Sequence, residues 1–372
     1  MHALRPTHYS SSRIFGNART CLIQSAAKNQ AIGTCGGASP IRQDAVEMPG
    51  KRKVEDGDAV AGNEDGPRKH RQRVEQGSSI SDAVPYSLAM RRPRPSGQAT
   101  FKLLSYNVNG LRALMKKTQL SDLVRDNDAD FLLLQETKLQ VANVDDEMRG
   151  LCGQEYDSIW ACSTEKKGYA GTAIFYRKSL GIAPSSVHFG FRDNTTEEYD
   201  AEGRLLTIEH DYFFLICAYV PNSGQKLERL KMRINSWEER VETYLKFLES
   251  KGKPVIYAGD LNVAHNPIDL WGNHKQNLKT AGYTIEEREQ MTKLLSKSDF
   301  IDTFRLVHGP NVAGFTYFSF RQKARELGRG WRLDYFLVSS SLQGMVHDSF
   351  IVEDFGTSDH QPIGLELLRI KV

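Results

Sequence analysis

Residues 254–265 read PVIYAGDLNVAH. An apolar run, predicted to be a buried strand, ends in an acid and an amide two positions apart. Along a strand, residues i and i+2 share a face, so Asp260 and Asn262 would aim at one point in space. Turn chemistry gives the same pattern, because Asp and Asn side chains bond nearby backbone where strands stop. The rest of the chain decides between the two readings.

Working outward, the pattern recurs. LLSYNVNG ends an apolar strand with Asn107 and Asn109, FLLLQETK ends another with Glu136, and CAYVPNSG ends a third with Tyr219 and Asn222. SDHQPIGLE begins the last strand with Asp359 and His360. One such end is ordinary; five together describe a polar site at the edge of packed sheets. Between the strands lie helical stretches. One has apolar residues Leu230, Ile234, Trp237, Val241, Tyr244, Leu245 and Leu248 at helical spacing, and another opens with Thr284 and Glu287 at capping-box spacing. Many strands with inserted helices predict a layered α/β domain, and about 270 residues suffice for a sizeable core.

The residue types limit the reaction. Glu136, Asp260 and Asp359 offer hard oxygens, and Asn107, Asn109 and Asn262 could orient water or complete a coordination shell. That set suits Mg²⁺ (or Mn²⁺) and not zinc. No Gly-rich phosphate loop and no G-x-S-x-G elbow is present, which removes support for nucleotide-fuelled phosphoryl transfer and serine-based acyl transfer. Metal-assisted hydrolysis remains, with His360 as proton handler or phosphate-contacting cation.

Composition divides the 372 residues in two. Residues 1–100 carry 15 Lys and Arg against 9 Asp and Glu; the remainder has 34 against 37. Nucleic-acid binding by the second part therefore needs a local basic patch or bound cations. Residues 1–98 read as a disordered extension, and 99–372 as the catalytic domain. No acid precedes Arg42, a composition that fits either a mitochondrial leader or a plain tail. GKRKVED and GPRKHRQRVE are basic clusters suited to nuclear import or nucleic-acid contact. The five cysteines form no C-x-x-C pair, as expected in a reducing compartment. No apolar run approaches the ~18 residues of a membrane span, so a soluble protein is expected.

SYNVNGLRA, LQETK, AYVPNSG, GDLNVAH, GWRLDYFLVS and TSDHQPIGLEL together resemble the ordered motifs of exonuclease III-type class II apurinic/apyrimidinic (AP) endonucleases, within the DNase I-like phosphodiesterases. The match runs over about residues 101–372. The resemblance implies a four-layer α/β sandwich, with the site at one edge of two facing sheets. It implies Glu136 as main metal ligand, Asn107 and Asp359 near the metal, and Asp260 and Asn262 on the attacking water and a phosphate oxygen. His360 would contact the scissile phosphate, with Asp334 fixing its ring. Tyr219 and Asn222 would bond phosphate oxygens, and Trp331, Phe315 and Tyr317 would line a pocket for a flipped abasic sugar. Arg112, Lys116, Lys117, Lys138, Lys166 and Lys167 could grip DNA phosphates.

The activity so implied is base-excision-repair incision of duplex DNA 5′ to abasic sites by a monomer in nucleus or mitochondrion. Trimming of blocked 3′ ends and 3′–5′ exonuclease action would accompany it. Two departures stand out: Asn109 replaces an acid of many relatives, and Gln225 an arginine of vertebrate ones. The rivals are a phosphodiesterase of the same fold acting on inositol phosphates, sphingolipids or poly(A), and a catalytically silent DNA-binding module. GWRLDYF speaks against the first, and the intact set Glu136, Asp260, Asn262, Asp334 and His360 against the second.

Overall fold

The structure, a computed structural model, describes residues 22–24, 83–193 and 197–369. Apart from Leu22–Gln24, the acid-free leader and the two basic clusters lie outside the described residues. Six strands carry the site: β1 (Thr100–Asn107), β2 (Phe131–Gln135), β3 (Phe214–Tyr219), β4 (Val255–Asp260), β5 (Asp334–Ser339) and β6 (Ile363–Leu368). One sheet has the order Leu22–Gln24, Tyr156–Ala161, Thr172–Arg177, β2, β1, β6, Val346–Ile351. The other runs Phe300–Asp302, β5, β4, β3, Leu205–Glu209, Val187–Phe189.

The strands read as continuous apolar runs because both of their faces are covered. Leu215, Cys217, Ile256, Ala258, Phe336 and Val338 pack in one core with the first sheet's Leu103, Phe131 and Leu133. The alternate residues Ile216, Tyr257 and Leu337 pack with Val241, Leu245 and Leu248 of helix Glu238–Glu249 and Met291 of helix Ile285–Lys297. On the far side of the first sheet, helix Leu120–Asp126 buries Leu120, Leu123 and Val124. Helix, sheet, sheet, helix is the four-layer α/β sandwich expected. Thr284 and Glu287 form the capping box that their spacing predicts.

Register brings the polar strand ends together. β3 and β4 are parallel with Tyr219 opposite Asp260, and β5 is antiparallel to β4 with Asp334 opposite Asp260. In the first sheet, parallel β1 and β2 set Asn107 opposite Gln135, one residue before Glu136. Gly259 makes the approach to Asp260 possible: its φ is +139°, and an alanine Cβ there would lie 1.9 Å from the Ala218 carbonyl oxygen. Gly259→Ala is expected to cost about 3 kcal/mol through backbone strain and overpacking, readable as a lower denaturation midpoint.

Three features depart from the sequence expectation. Strands Tyr156–Ala161 and Val346–Ile351 were not anticipated, because Asp157, Ser158, His347, Asp348 and Ser349 interrupt their apolar pattern. The last strand begins at Ile363, so Asp359 and His360 sit in the loop before it rather than on it. Residues 83–98, assigned by composition to the extension, pack on the domain. Val84–Pro85 pairs with Val312–Ala313, Tyr86 is buried against Phe304 and His308, and the Arg91 guanidinium lies 3.5 Å from the Phe350 ring centroid.

Candidate active site

The polar strand ends meet in one hydrogen-bonded cluster. The Asn107 amide donates to Glu136 Oε1 at 3.1 Å and to Asp260 Oδ2 at 2.9 Å, so it ties one sheet to the other. Tyr219 Oη donates to the same Glu136 oxygen at 2.7 Å. Asn262 donates its amide to Asp260 Oδ2 (3.3 Å) and Val220 O (2.9 Å), and accepts from the Asn222 amide at 2.9 Å. His360 Nδ1 donates to Asp334 Oδ2 at 2.8 Å, while its Nε2 lies 3.9 Å from Asp260 Oδ2. Asn109 donates to Asp359 Oδ1 at 2.9 Å and accepts from Lys138.

The convergence of Asp260 and Asn262 does not come from a continuing strand. Asn262 has φ +50°, and its N–H donates to Asp260 Oδ1 at 2.9 Å. Asn109 N–H closes on Asn107 Oδ1 at 3.0 Å, and Gly224 N–H on Asn222 Oδ1 at 2.9 Å. Each is a side chain bonding the backbone two residues on. Turn chemistry and a shared site are thus both present: the turn aims the second side chain inward.

The electrostatics follow from crowding. Burial raises the Asp260 carboxyl, its neighbours Asp334 and Glu136 raise it further, and the His360 charge opposes them, leaving it at about 7. Burial works against a charged ring at His360, yet Asp334 and Asp260 outweigh it and push the imidazole up to about 10. Burial also opposes the Glu136 carboxylate, but Lys138 and a bond from Tyr219 hold it below its ordinary value. A carboxyl poised near neutrality beside a fixed imidazolium can exchange a proton with a water and steady an anion.

The aromatic predictions divide. The Tyr317 ring centroid lies 5.1 Å from that of His360, and Tyr317 pairs by its backbone with both Trp331 and His360. Trp331 meets Tyr283 edge-on at 6.2 Å. The Phe315 ring meets Phe318 edge-on at 6.5 Å, and the backbone N–H of Phe318 donates to Asp359 O at 2.7 Å.

A family model described as the endonuclease/exonuclease/phosphatase family matches residues 104–360. An exodeoxyribonuclease of Bacillus subtilis is 42% identical over 264 residues, 71% of this chain and 98% of the relative. The DNA repair nuclease APEX1 of Danio rerio is 42% identical over 270 residues, covering 72% and 83%. The chain belongs to the exonuclease III-type AP endonuclease family. Among solved structures, an AP endonuclease from Leishmania major superposes with a TM-score of 0.70 at 30% identity, covering 78% of this chain and 94% of that one.

The nuclease chemistry of this family is metal-dependent, and the donors here fit a cation. Glu136, Asn107 and Asp359 present oxygens, and the Lys138 ammonium sits 3.0 Å from Glu136 Oε2, so a positive group is drawn to that spot. Asp260, Asp334 and His360 also bring one ligand atom each within 4.8 Å of one another. His360 Nδ1 is committed to Asp334, however, so this trio suits proton handling better than metal ligation.

The AP endonuclease site also rests on residues that sequence reasoning missed. A π turn, Arg233–Trp237, interrupts the helix begun at Leu230 and lets the fully buried Arg233 donate to Leu261 O and Asn262 O, both at 2.7 Å. Ser358 Oγ donates to Asn107 O at 2.7 Å and accepts from His360 N at 3.1 Å. Thr316 Oγ1 accepts from the N–H groups of Leu333 and Asp334 at 3.0 and 3.1 Å. Arg204 lies 4.4 Å from the Tyr219 ring centroid and donates to Tyr219 O. Ser358 stands inside a quoted motif and was within reach; the other three announce themselves by no local pattern.

Proposed function

We propose that this AP endonuclease of DNA repair hydrolyses the phosphodiester bond 5′ to an abasic site in duplex DNA. The products are a 3′-hydroxyl and a 5′-deoxyribose phosphate. The observation that carries this reading is Asp260, pushed up to about 7 and held between the Asn107 and Asn262 amides and the His360 ring. Asp260 takes a proton from water as the water oxygen bonds to phosphorus, the bond from phosphorus to the 3′ oxygen breaks, and the departing 3′ alkoxide takes a proton from solvent water to become the hydroxyl. Asn262 orients the water and a phosphate oxygen. His360, kept charged by Asp334, and the donors Tyr219 and Asn222 stabilise the charge developing on the phosphate. Glu136, Asn107 and Asp359 would hold Mg²⁺, with Mn²⁺ as substitute, and the metal supplies Lewis-acid stabilisation of that charge.

A pocket formed by Tyr317, Trp331 and Phe315 would favour a sugar without a base, since extrusion costs least where nothing is stacked. The same constellation would trim blocked 3′ ends and remove 3′ nucleotides. The enzyme acts as a monomer, and the composition of residues 1–98 supports residence in nucleus or mitochondrion. The test is metal binding together with product identity. Glu136→Gln is expected to weaken Mn²⁺ binding, read by spin resonance, at least tenfold, by comparison with losses at supporting residues of metal sites. The wild-type product should be extended directly by a DNA polymerase. Unchanged Mn²⁺ affinity would remove Glu136 from the metal site, and a product that primes nothing would refute the 3′-hydroxyl.

A further inference from the structure

The loop after Leu270 holds an aromatic that the site does not use. Trp271 is 48% exposed, high for a side chain usually well buried. Its main chain is held in place, the backbone N–H donating to Gly330 O at 2.9 Å, and the Arg329 guanidinium lies 4.7 Å from the ring centroid. One face of the indole is thus backed by a cation, while the residue stays largely open to solvent.

The fold fixes where this ring stands. Leu270 pairs with Trp331, Trp331 with Tyr317, and Tyr317 with His360, all by backbone bridges. At strand spacing these three steps keep Leu270, the neighbour of Trp271, within about 15 Å of His360, a reach of roughly four nucleotides along a DNA strand. Lys275 is exposed four residues further along the same loop, and Phe320, 69% exposed, and the exposed Arg321 precede Arg329 in the segment that bonds Trp271 through Gly330. An aromatic with a guanidinium beside it, among cations, is the chemistry that takes the π face of a nucleobase and holds the adjoining phosphates. A base inside a duplex is already stacked on both faces and has none to offer.

We propose that Trp271, backed by Arg329, is a stacking platform for an unpaired nucleobase about four nucleotides from the scissile phosphate. The enzyme would thereby favour lesions and 3′ ends flanked by single-stranded DNA. This inference rests on the AP endonuclease reading given above.

The full chain, Trp271→Ala and Trp271→Phe would be compared on an abasic analogue in continuous duplex, and on the same analogue with the DNA unpaired from four nucleotides away, on each side in turn. For Trp271→Ala, KM on one of the unpaired substrates is expected to rise about five- to tenfold. Its KM on continuous duplex should change less than twofold, kcat should hold, and Trp271→Phe should restore KM. No change in KM, or an equal rise on all substrates, would overturn the proposal. Quenching of tryptophan fluorescence by an undamaged oligothymidylate separates the two readings. If the wild type is quenched but incises nothing, the endonuclease reading fails and the platform stands; if Trp271→Ala is quenched equally, the platform fails.

Discussion

Asp260→Asn is expected to lower the rate of incision about 10³- to 10⁴-fold, at the upper end of what a positioned proton acceptor contributes. The amide keeps the shape of the carboxyl and can still meet Asn107 and Asn262 after a flip, so the fold should persist. What is lost is the base and one negative charge beside His360. The pH profile gives a second reading. With the carboxyl at about 7 before any cation binds, the wild-type rate should climb with pH along an acid limb centred at or below about 7, because a bound cation favours the carboxylate. That limb should vanish in Asp260→Asn. A variant within tenfold of the wild type, with the limb intact, would move the base elsewhere in the cluster.

The second large effect falls on stability, behind the pocket. Arg332 is buried and donates to Asp269 Oδ1 at 2.7 Å and to Asp302 Oδ2 at 2.7 Å, and Arg305 also bonds Asp269. Asp302 caps helix Thr303–His308 in turn. This network joins the loop that carries Leu270 to the segment that carries Trp331 and Asp334. Asp269→Ala leaves two guanidinium groups short of a partner in the interior and is expected to cost about 3–5 kcal/mol, measured by denaturant unfolding. Burial alone would raise the Asp269 carboxyl, but Arg332 and Arg305 hold it down at about 2, against an ordinary 3.8. A depressed carboxyl stabilises the fold fully above its unfolded value, and the contribution disappears as pH falls from about 4 toward 2. The wild type should lose about 2 kcal/mol across that window from this group; Asp269→Asn should lose correspondingly less. Equal acid sensitivity in the two proteins would show the network to be neutral.

Much of this site was legible in the sequence because its residues sit where strand patterns stop. Asn107, Glu136, Tyr219 and Asp260 are each the last polar interruption of an apolar run, and parallel or antiparallel register then lines up such ends. The motif order supplied the four-layer arrangement and added Asp334, which is unremarkable as an isolated residue. Legibility failed where the partners carry no strand-end pattern. Arg233 reaches Leu261 and Asn262 from the first position of a π turn, and apolar spacing over residues 230–248 gives no sign of that turn. The Arg332, Asp269 and Asp302 network joins three segments that look like ordinary surface acids and bases until packing buries them. Strands Tyr156–Ala161 and Val346–Ile351 escaped notice for a related reason: their polar side chains find partners inside the fold. The Trp160 indole N–H donates to Ser158 at 2.9 Å, and Asp348 accepts from Arg92 N–H at 3.1 Å.

The most direct test of the central claim uses one duplex with a single stable abasic-site analogue and an otherwise identical undamaged duplex, each with Mg²⁺ and again with EDTA. Incision of the lesion duplex alone, immediately 5′ to the analogue and abolished by EDTA, is the predicted result. Equal cutting of both duplexes, or cutting that survives EDTA, would contradict it.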